Sequence, residues 1–437
     1  MTICTSDQLV FPSFSRRKVQ VDFEGGDVSS DGGVLLLRQM DRRLKLTQTL
    51  ADQLPDAREA SACDHAMVDL LRQRIYGIAL GYEDGNDHLR LRQDVALQTA
   101  VERVDELASP ATLCRWENRA DRKAARIIHE LLVEQFIASY KRAPKELVLD
   151  FDATDDAVHG KQEGRFFHGY YDQYCFLPLY VFCGTQLLVS YLRPSNVDPA
   201  CHAWAVLKLL VVRLRQAWPE VKIIVRGDSG FCRWRMMRWC DRHDVLYVLG
   251  LAQNTRLNAL ASKHLKRAER EHHKTGRAQR FFKEFRYAAQ TWDRKRRVIL
   301  RAEHTDKGSN PRYIVTNMDD DASHLYDTVY CARGEMENRI KEQQLDLFSD
   351  RTSCSKWWAN QFRLLLSSLA YVLVESIRRV ALQKTELARA TCGTIRLKLL
   401  KIGAVLLRNT RRVRLHLSSA YPYRELFHLV CQRLSTA

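Results

Sequence analysis

The sequence predicts a mixed α/β fold, and three observations carry that expectation. Up to residue 140, apolar side chains recur at helical spacing. From residue 145 the period drops to two, in ELVLDFD (146–152), YCFLPLYVF (174–182) and QLLVSYL (186–192). Beyond them strands and helices alternate, which describes a mixed sheet with helices laid on it.

The elements follow in order. Ser29, Ser30, Asp31, Gly32 and Gly33 form a polar entry to the helical run VLLLRQMDRRLKLTQTLADQL. Ala66 to Ile78 repeats that pattern and stops at Gly81. Ser109-Pro110 starts another helix, on which Thr112, Arg115 and Asn118 fall three apart. Such a stripe suits a short recognition helix in DNA and equally an ordinary capped surface helix. After the three strands, Ala200 to Gln216 reads as a helix and VKIIVRGD (221–228) as a buried strand ending in charge. Phe231 to His243 is helical and VLYVLGL (245–251) is a strand. FFKEFRYAA (281–289), RRVILRAEH (296–304) and RYIVTN (312–317) alternate as strands. Long helices are expected from Ser323 to Asp346 and from Lys356 to about Ala390.

Composition narrows the function. Against 52 Asp and Glu there are 69 Lys and Arg, a net charge of +17, which favours a polyanionic partner. Two stretches concentrate it: residues 256–301 hold fifteen cations to four acids, and residues 375–437 hold thirteen to three. The twelve cysteines include no CxxC pair, against a structural zinc site and in keeping with reduced thiols. The first twenty-one residues lack a signal-peptide pattern, and no window nears twenty uncharged apolar residues. A soluble cytoplasmic protein, associated with the nucleoid and not with a membrane, is expected.

Three acidic positions stand where phosphodiester chemistry would want them. Asp150 and Asp152 lie two apart on a strand and share a face. Asp228 closes the next long apolar strand at its carboxyl end, before Gly230 allows a turn. Glu337 lies on the helix beyond the basic block, where Tyr330, Arg333, Glu337, Lys341 and Gln344 step by three or four along one stripe. Hard oxygen ligands of this kind suit Mg²⁺. A buried aspartate alone is more often a cap or an ion-pair partner, and the stripe alone would be a solvated face. The ordered set points to a site. His159, in the loop after the first strand, could approach it, and the Trp357-Trp358 pair is expected to fix its helix to the core.

LDFDATDDAVHGKQEG (149–164), VRGDSGFC (225–232) and YCARGEMENRIKEQQLDLFSDRTSC (330–354) together resemble the DDE transposases of bacterial insertion sequences. Within them the chain is similar to the insertion sequence 1380 group, and the downstream WWANQFRLLLSSLAY fits as well. The resemblance implies a ribonuclease H-like catalytic core over 145–251 and 312–390, interrupted by a basic β-rich insertion at 252–311. It further implies a helical DNA-binding region at 1–140 and a basic tail at 391–437 that packs on the core. Asp152, Asp228 and Glu337 become the catalytic ligands of two Mg²⁺ ions, with Mn²⁺ as a substitute. Asp152 is preferred to Asp150 because Asp152-Ala153-Thr154 fits the group's Asp-x-Thr. Tyr330, Arg333, Lys341, Arg115 and the insertion's Arg294, Lys295, Arg296 and Arg297 are expected to contact DNA, and Trp292 to stack on a flipped base. Gln344 departs from the lysine common at that position. The implied partner is double-stranded DNA, gripped by a homodimer. A nuclease that moves nothing, or a non-catalytic DNA-binding regulator, stays open beside this reading.

Overall fold

The computed structural model of the protein describes residues 9–59, 61 and 63–435; residues 1–8 and 436–437, the outer ends of the expected DNA-binding region and tail, lie outside them. The chain divides into two compact units, residues 1–117 with 369–437, and residues 118–368.

The second unit is built on one sheet. β1 (Glu146–Ala153), β2 (Leu179–Cys183) and β3 (Gln186–Tyr191) run antiparallel in sequence. β4 (Lys222–Gly227) is parallel to β1, and β5 (Leu246–Leu251) is parallel to β4. β6 (Gln279–Tyr287), β7 (Arg296–Thr305) and β8 (Arg312–Thr316) extend it antiparallel, in the order β6-β7-β8-β5-β4-β1-β2-β3. The expected run 174–182 is two strands, Gln173–Phe176 and β2, because Pro178 between them has no N–H to continue the ladder.

Helices cover both faces. On one, α1 (Arg122–Ala138), α2 (Ala203–Ala217), α3 (Trp234–Arg242) and α4 (Thr255–Thr275) flank the sheet. Leu149 and Phe151 of β1 pack there with Leu207, Leu214, Phe231, Met237 and Leu257. On the other, Ile224, Val248, Ile299 and Ile314 meet Leu325 and Tyr326 of the helical run at 322–346. Each such side chain fully buried is worth about 1.5–3 kcal/mol, so the strand alternation is enforced from both sides. Asp150 and Asp152, one residue out of phase with Leu149 and Phe151, face that second layer.

The expected helix 323–346 is one continuous helical run, but not a regular one. α-helix Ala322–His324 passes into a π turn at Leu325–Tyr330, a 3-10 turn at Cys331–Arg333, α5 (Gly334–Lys341), and a second π turn at Glu342–Asp346. π turns inside helices cluster at functional sites. α6 (Trp357–Ala381) ends nine residues early, where Lys384 adopts a left-handed φ of 61°.

Two expectations about the outer regions, the separate insertion and the packing of the tail, are corrected. Residues 252–311 are not a separate β-rich insertion: α4 occupies 21 of them, and β6 and β7 continue the main sheet. Asn254 caps α4 by accepting from Leu257 N at 3.0 Å, and Leu257, Ala261 and Ala268 bury its inner stripe. The N-terminal region is mostly helical, as expected, and its described part opens on a hairpin of Leu9–Phe14 and Arg17–Val21 and a short strand Asp27–Ser29 before the first helix. The tail joins the first unit instead of the sheet's core: Ala404–Leu406 pairs with Asp27–Ser29, and Arg396 Nε donates to Ala79 O at 2.8 Å. No helix among the described residues is long and apolar enough to cross a membrane.

Candidate active site

β1 and β4 set the aspartates. Their register pairs Lys222 with Glu146 and runs to Gly227 with Phe151, so the next step brings Asp228 level with Asp152. Adjacent strands lie about 4.8 Å apart, and both residues sit at carboxyl ends. Asp228 then caps the turn Ser229–Phe231, its Oδ1 accepting from Gly230 N at 2.8 Å.

The same register sets Arg226 opposite Asp150. The two form a buried, two-pronged ion pair, with Nη2 2.7 Å from Oδ2. Arg226 also donates to Val329 O, tying β4 to the helical run. Asp150 is thus held by a buried ion pair, whereas Asp152 is partly exposed and pairs with Arg333.

Arg333 is the centre of the arrangement. Its Nη1 lies 3.2 Å from Asp152 Oδ2 and its Nη2 2.7 Å from Glu337 Oε1. Burial pushes the Asp152 carboxyl up to about 6; Arg333 opposes this, while Asp228 and Glu337 add to it as like charges. Burial acts to lower the Arg333 pKa, but Asp152, Tyr330, Glu337 and Asp228 raise it overall. Burial, and then the charge of Asp228, raise Tyr330. Tyr171 is pushed up to about 12 by burial and by Asp155 and Asp152. Asp152, Asp228, Glu337, Arg333 and Tyr330 therefore share one electrostatic environment.

Gly250 makes the approach of Tyr330 possible. A Cβ there would stand 2.6 Å from the Tyr330 hydroxyl, 2.8 Å from Ser229 N and 3.0 Å from the Asp228 carbonyl carbon. Only a residue without a side chain lets β5, the Asp228 turn and the phenol meet. The sequence reading passed over Gly250; a glycine inside the strand VLYVLGL is the signal that points to such a close approach.

The donor set suits a hard divalent cation. Two carboxylates hold the Arg333 guanidinium and Asp228 adds its charge nearby, and the charge excess already burdens Asp152. Among the described residues no three acids, histidines or cysteines are gathered around one point as a finished cage. Arg333 stands between Asp152 and Glu337, and the Glu337 side chain is 47% exposed.

The remaining residues expected at DNA divide. Lys341 is exposed on α5, and Arg115 is exposed on the helix Pro110–Glu117, reaching Thr112 Oγ1 at 3.3 Å. Gln344 donates to Asp155 O at 2.9 Å and to the buried Asp156 at 3.2 Å, so this position braces the strand loop. Trp292 is half-buried, packed against the core and edge-on to Tyr287 with ring centroids 5.6 Å apart. Arg296 is buried between Asp241 and Asp293, and Arg297 is held by Glu284 and by Met318 O. Arg294 pairs with Asp241 at 2.6 Å, while Lys295 is exposed. Exposed cations of the block lie instead along α4, at Lys263, Lys266, Arg267 and Arg270. His159 is exposed. Trp357 meets Phe176 edge-on at 5.4 Å and covers Gly164, where a Cβ would come within 2.5 Å of the indole.

The sequence matches the family described as "Transposase DDE domain group 1" over residues 11–437. Among solved structures, the chain is similar to piggyBac transposase in a synaptic complex with hairpin DNA, with a TM-score of 0.43 and 11% identity over 92% of this chain and 82% of that one. No curated protein matches it.

Proposed function

The chain belongs to the transposase DDE domain group 1 family, and on that premise we propose how this DDE-type transposase works. It binds the ends of a mobile DNA element, cuts there to expose a 3′-hydroxyl, and joins that hydroxyl to target DNA. DDE transposases use divalent metal ions. Asp152, Asp228 and Glu337 would hold two of them here, Mg²⁺ with Mn²⁺ as a substitute. Ions so held supply activation of the attacking oxygen and stabilisation of the leaving one.

The observation that carries this reading is Arg333 bound to Asp152 and Glu337 at once, beside Asp228. The guanidinium keeps like charges together in the free protein, and its release from Glu337 would turn it toward a DNA phosphate. Tyr330, placed by Gly250, would position the strand next to Asp228. A ribonuclease H-like core is supported by three antiparallel strands followed by two parallel to the first. We place the enzyme in the bacterial insertion sequence 1380 group on its three motifs, acting as a dimer on two element ends.

The test is an end-labelled duplex incubated with full-length protein, Mg²⁺ and a supercoiled plasmid. Label transferred into the plasmid, absent with Asp152→Ala, is the expected result. Nicking without transfer would reduce the protein to a nuclease. Binding unaffected by any divalent ion, with no cleavage, would leave a DNA-binding regulator.

A further inference from the structure

The hairpin of Ala404–Asn409 and Arg412–Leu417 is tied down at one end and bare at the other. Ala404, Val405 and Leu406 pair with Ser29, Val28 and Asp27, but beyond Leu406 the ribbon has only two strands. Its inner side is anchored: Ala404 and Leu406 are buried, and Arg408 donates to Gln98 Oε1 at 3.1 Å and to Val104 O at 2.8 Å. Its outer side holds Val405 opposite His416, Leu407 opposite Arg414 and Asn409 opposite Arg412, all exposed. Asn409 Oδ1 accepts from Arg411 N at 3.0 Å and shapes the turn at the tip.

Charge chooses the occupant. Residues 404–417 carry four arginines and no acid. Among the described residues Arg411, Arg412 and Arg414 have no acidic partner, unlike Arg296 and Arg297 of the basic block. Arg412 and Arg414 are two apart on one strand, so they project on one side about 6.8 Å from each other. Successive nucleotides along a DNA strand are spaced about 3.4 Å, so this interval spans two base-pair steps. The major groove, about 12 Å wide, admits a two-stranded ribbon, and a guanidinium there can bond one guanine at both O6 and N7.

We infer that the ribbon 407–414 enters the major groove of duplex DNA and reads base edges through Arg412 and Arg414, with Arg411 on the backbone at the tip. The inference rests on the transposase reading and gives sequence recognition to the tail as well as to the N-terminal helices.

The experiment selects from a pool of duplexes with a randomised core of about 25 bp, wide enough for two turns of the groove, using full-length protein in Ca²⁺ to suppress cutting. Wild type should enrich a motif, and Asp152→Ala should enrich the same one. The double variant Arg412→Lys with Arg414→Lys keeps the charge but loses the planar fork. It should lose one block of the motif, with a roughly ten-fold weaker affinity for the selected duplex and unchanged affinity for the unselected pool. An unaltered motif in that variant overturns base reading, even where alanines at both positions weaken all DNA uniformly. Wild type that enriches no motif also overturns it, while Mg²⁺-dependent joining by the same preparation would leave the transposase reading standing. Equal melting temperatures for the variant and wild type confirm that the exposed ribbon, not the fold, was changed.

Discussion

Asp150 and Arg226 stand opposite each other on parallel β1 and β4 and join through both guanidinium prongs, away from water. Removing one partner of a buried pair strands the other charge and typically costs about 3–5 kcal/mol. Asp150→Ala is therefore expected to lower the melting temperature sharply, whereas Asp152→Asn should not. A well-folded Asp150→Ala protein deficient only in cleavage would instead return the first ligand to Asp150.

The triad makes its own prediction. Asp152→Ala, Asp228→Ala and Glu337→Ala should each abolish Mg²⁺-dependent end cleavage while leaving DNA binding largely intact. Ligands of one metal site act as a unit, so on this reading the double variants should be no worse than the singles. Gel shifts alongside cleavage assays would show this, and robust cleavage by Glu337→Ala would remove the helix from the chemistry.

The Asp152 carboxyl gives a pH dependence in metal-free protein. Its folded value of about 6 lies above the ordinary 3.8 because burial, with Asp228 and Glu337, disfavours the charged form. The folded state then binds more protons than the unfolded one between those values, so stability falls as pH rises from about 4 to about 6. The loss attributable to this group is at most about 3 kcal/mol at neutral pH. Denaturant midpoints at pH 5 and pH 7 should differ more in wild type than in Asp152→Asn. Equal differences would mean that Asp152 does not titrate in that window.

The basic block divides by partner rather than by sequence position. Lys263, Lys266 and Arg270 are exposed along α4, while Arg296 and Arg297 are held by Asp241, Asp293 and Glu284. Glutamine at the three α4 positions should shrink the slope of log K against log salt by roughly 0.9 for each DNA phosphate that is no longer neutralised. Arg296→Ala should instead cost stability, since it leaves Asp241 and Asp293 without their buried partner. An unchanged slope in the α4 variant would exclude that face from the DNA path.

These divisions explain what the sequence could and could not disclose. Strand periods in 146–152 and 221–228 made β1 and β4 legible, and the motif order singled out Asp152, Asp228 and Glu337 as the candidates. Arg226 was within reach too, because Arg-Gly-Asp at 226–228 matches Asp-Phe-Asp at 150–152 once the strands are set side by side. Counting cations in 256–301 could not separate tethered from free arginines, since Asp241 reaches Arg296 from 55 positions away. The same charge density hid α4, whose inner stripe is largely alanine and carries little hydrophobic contrast. Trp292 has the residue type of a base reader, and the sequence could not disclose that Tyr287 packs edge-on against its ring.

Gly250 offers the sharpest probe of the site's geometry. A methyl group there meets Ser229 N and the Asp228 carbonyl carbon at 3.0 Å or less, and backbone atoms cannot swing aside as a flexible side chain can. Gly250→Ala must therefore move β5, the turn that positions Asp228, or both. A displacement near 1 Å at a reacting group can cost about 10²-fold in rate. We expect cleavage to fall by about that factor while DNA binding holds. Adding Tyr330→Phe removes the hydroxyl 2.6 Å from the new methyl, which relieves one clash and leaves the two backbone clashes in place. The double variant should recover little activity. Full recovery would locate the strain in the phenol alone and would mean that the Asp228 turn does not depend on Gly250; undiminished cleavage by Gly250→Ala itself would show that the close approach is dispensable.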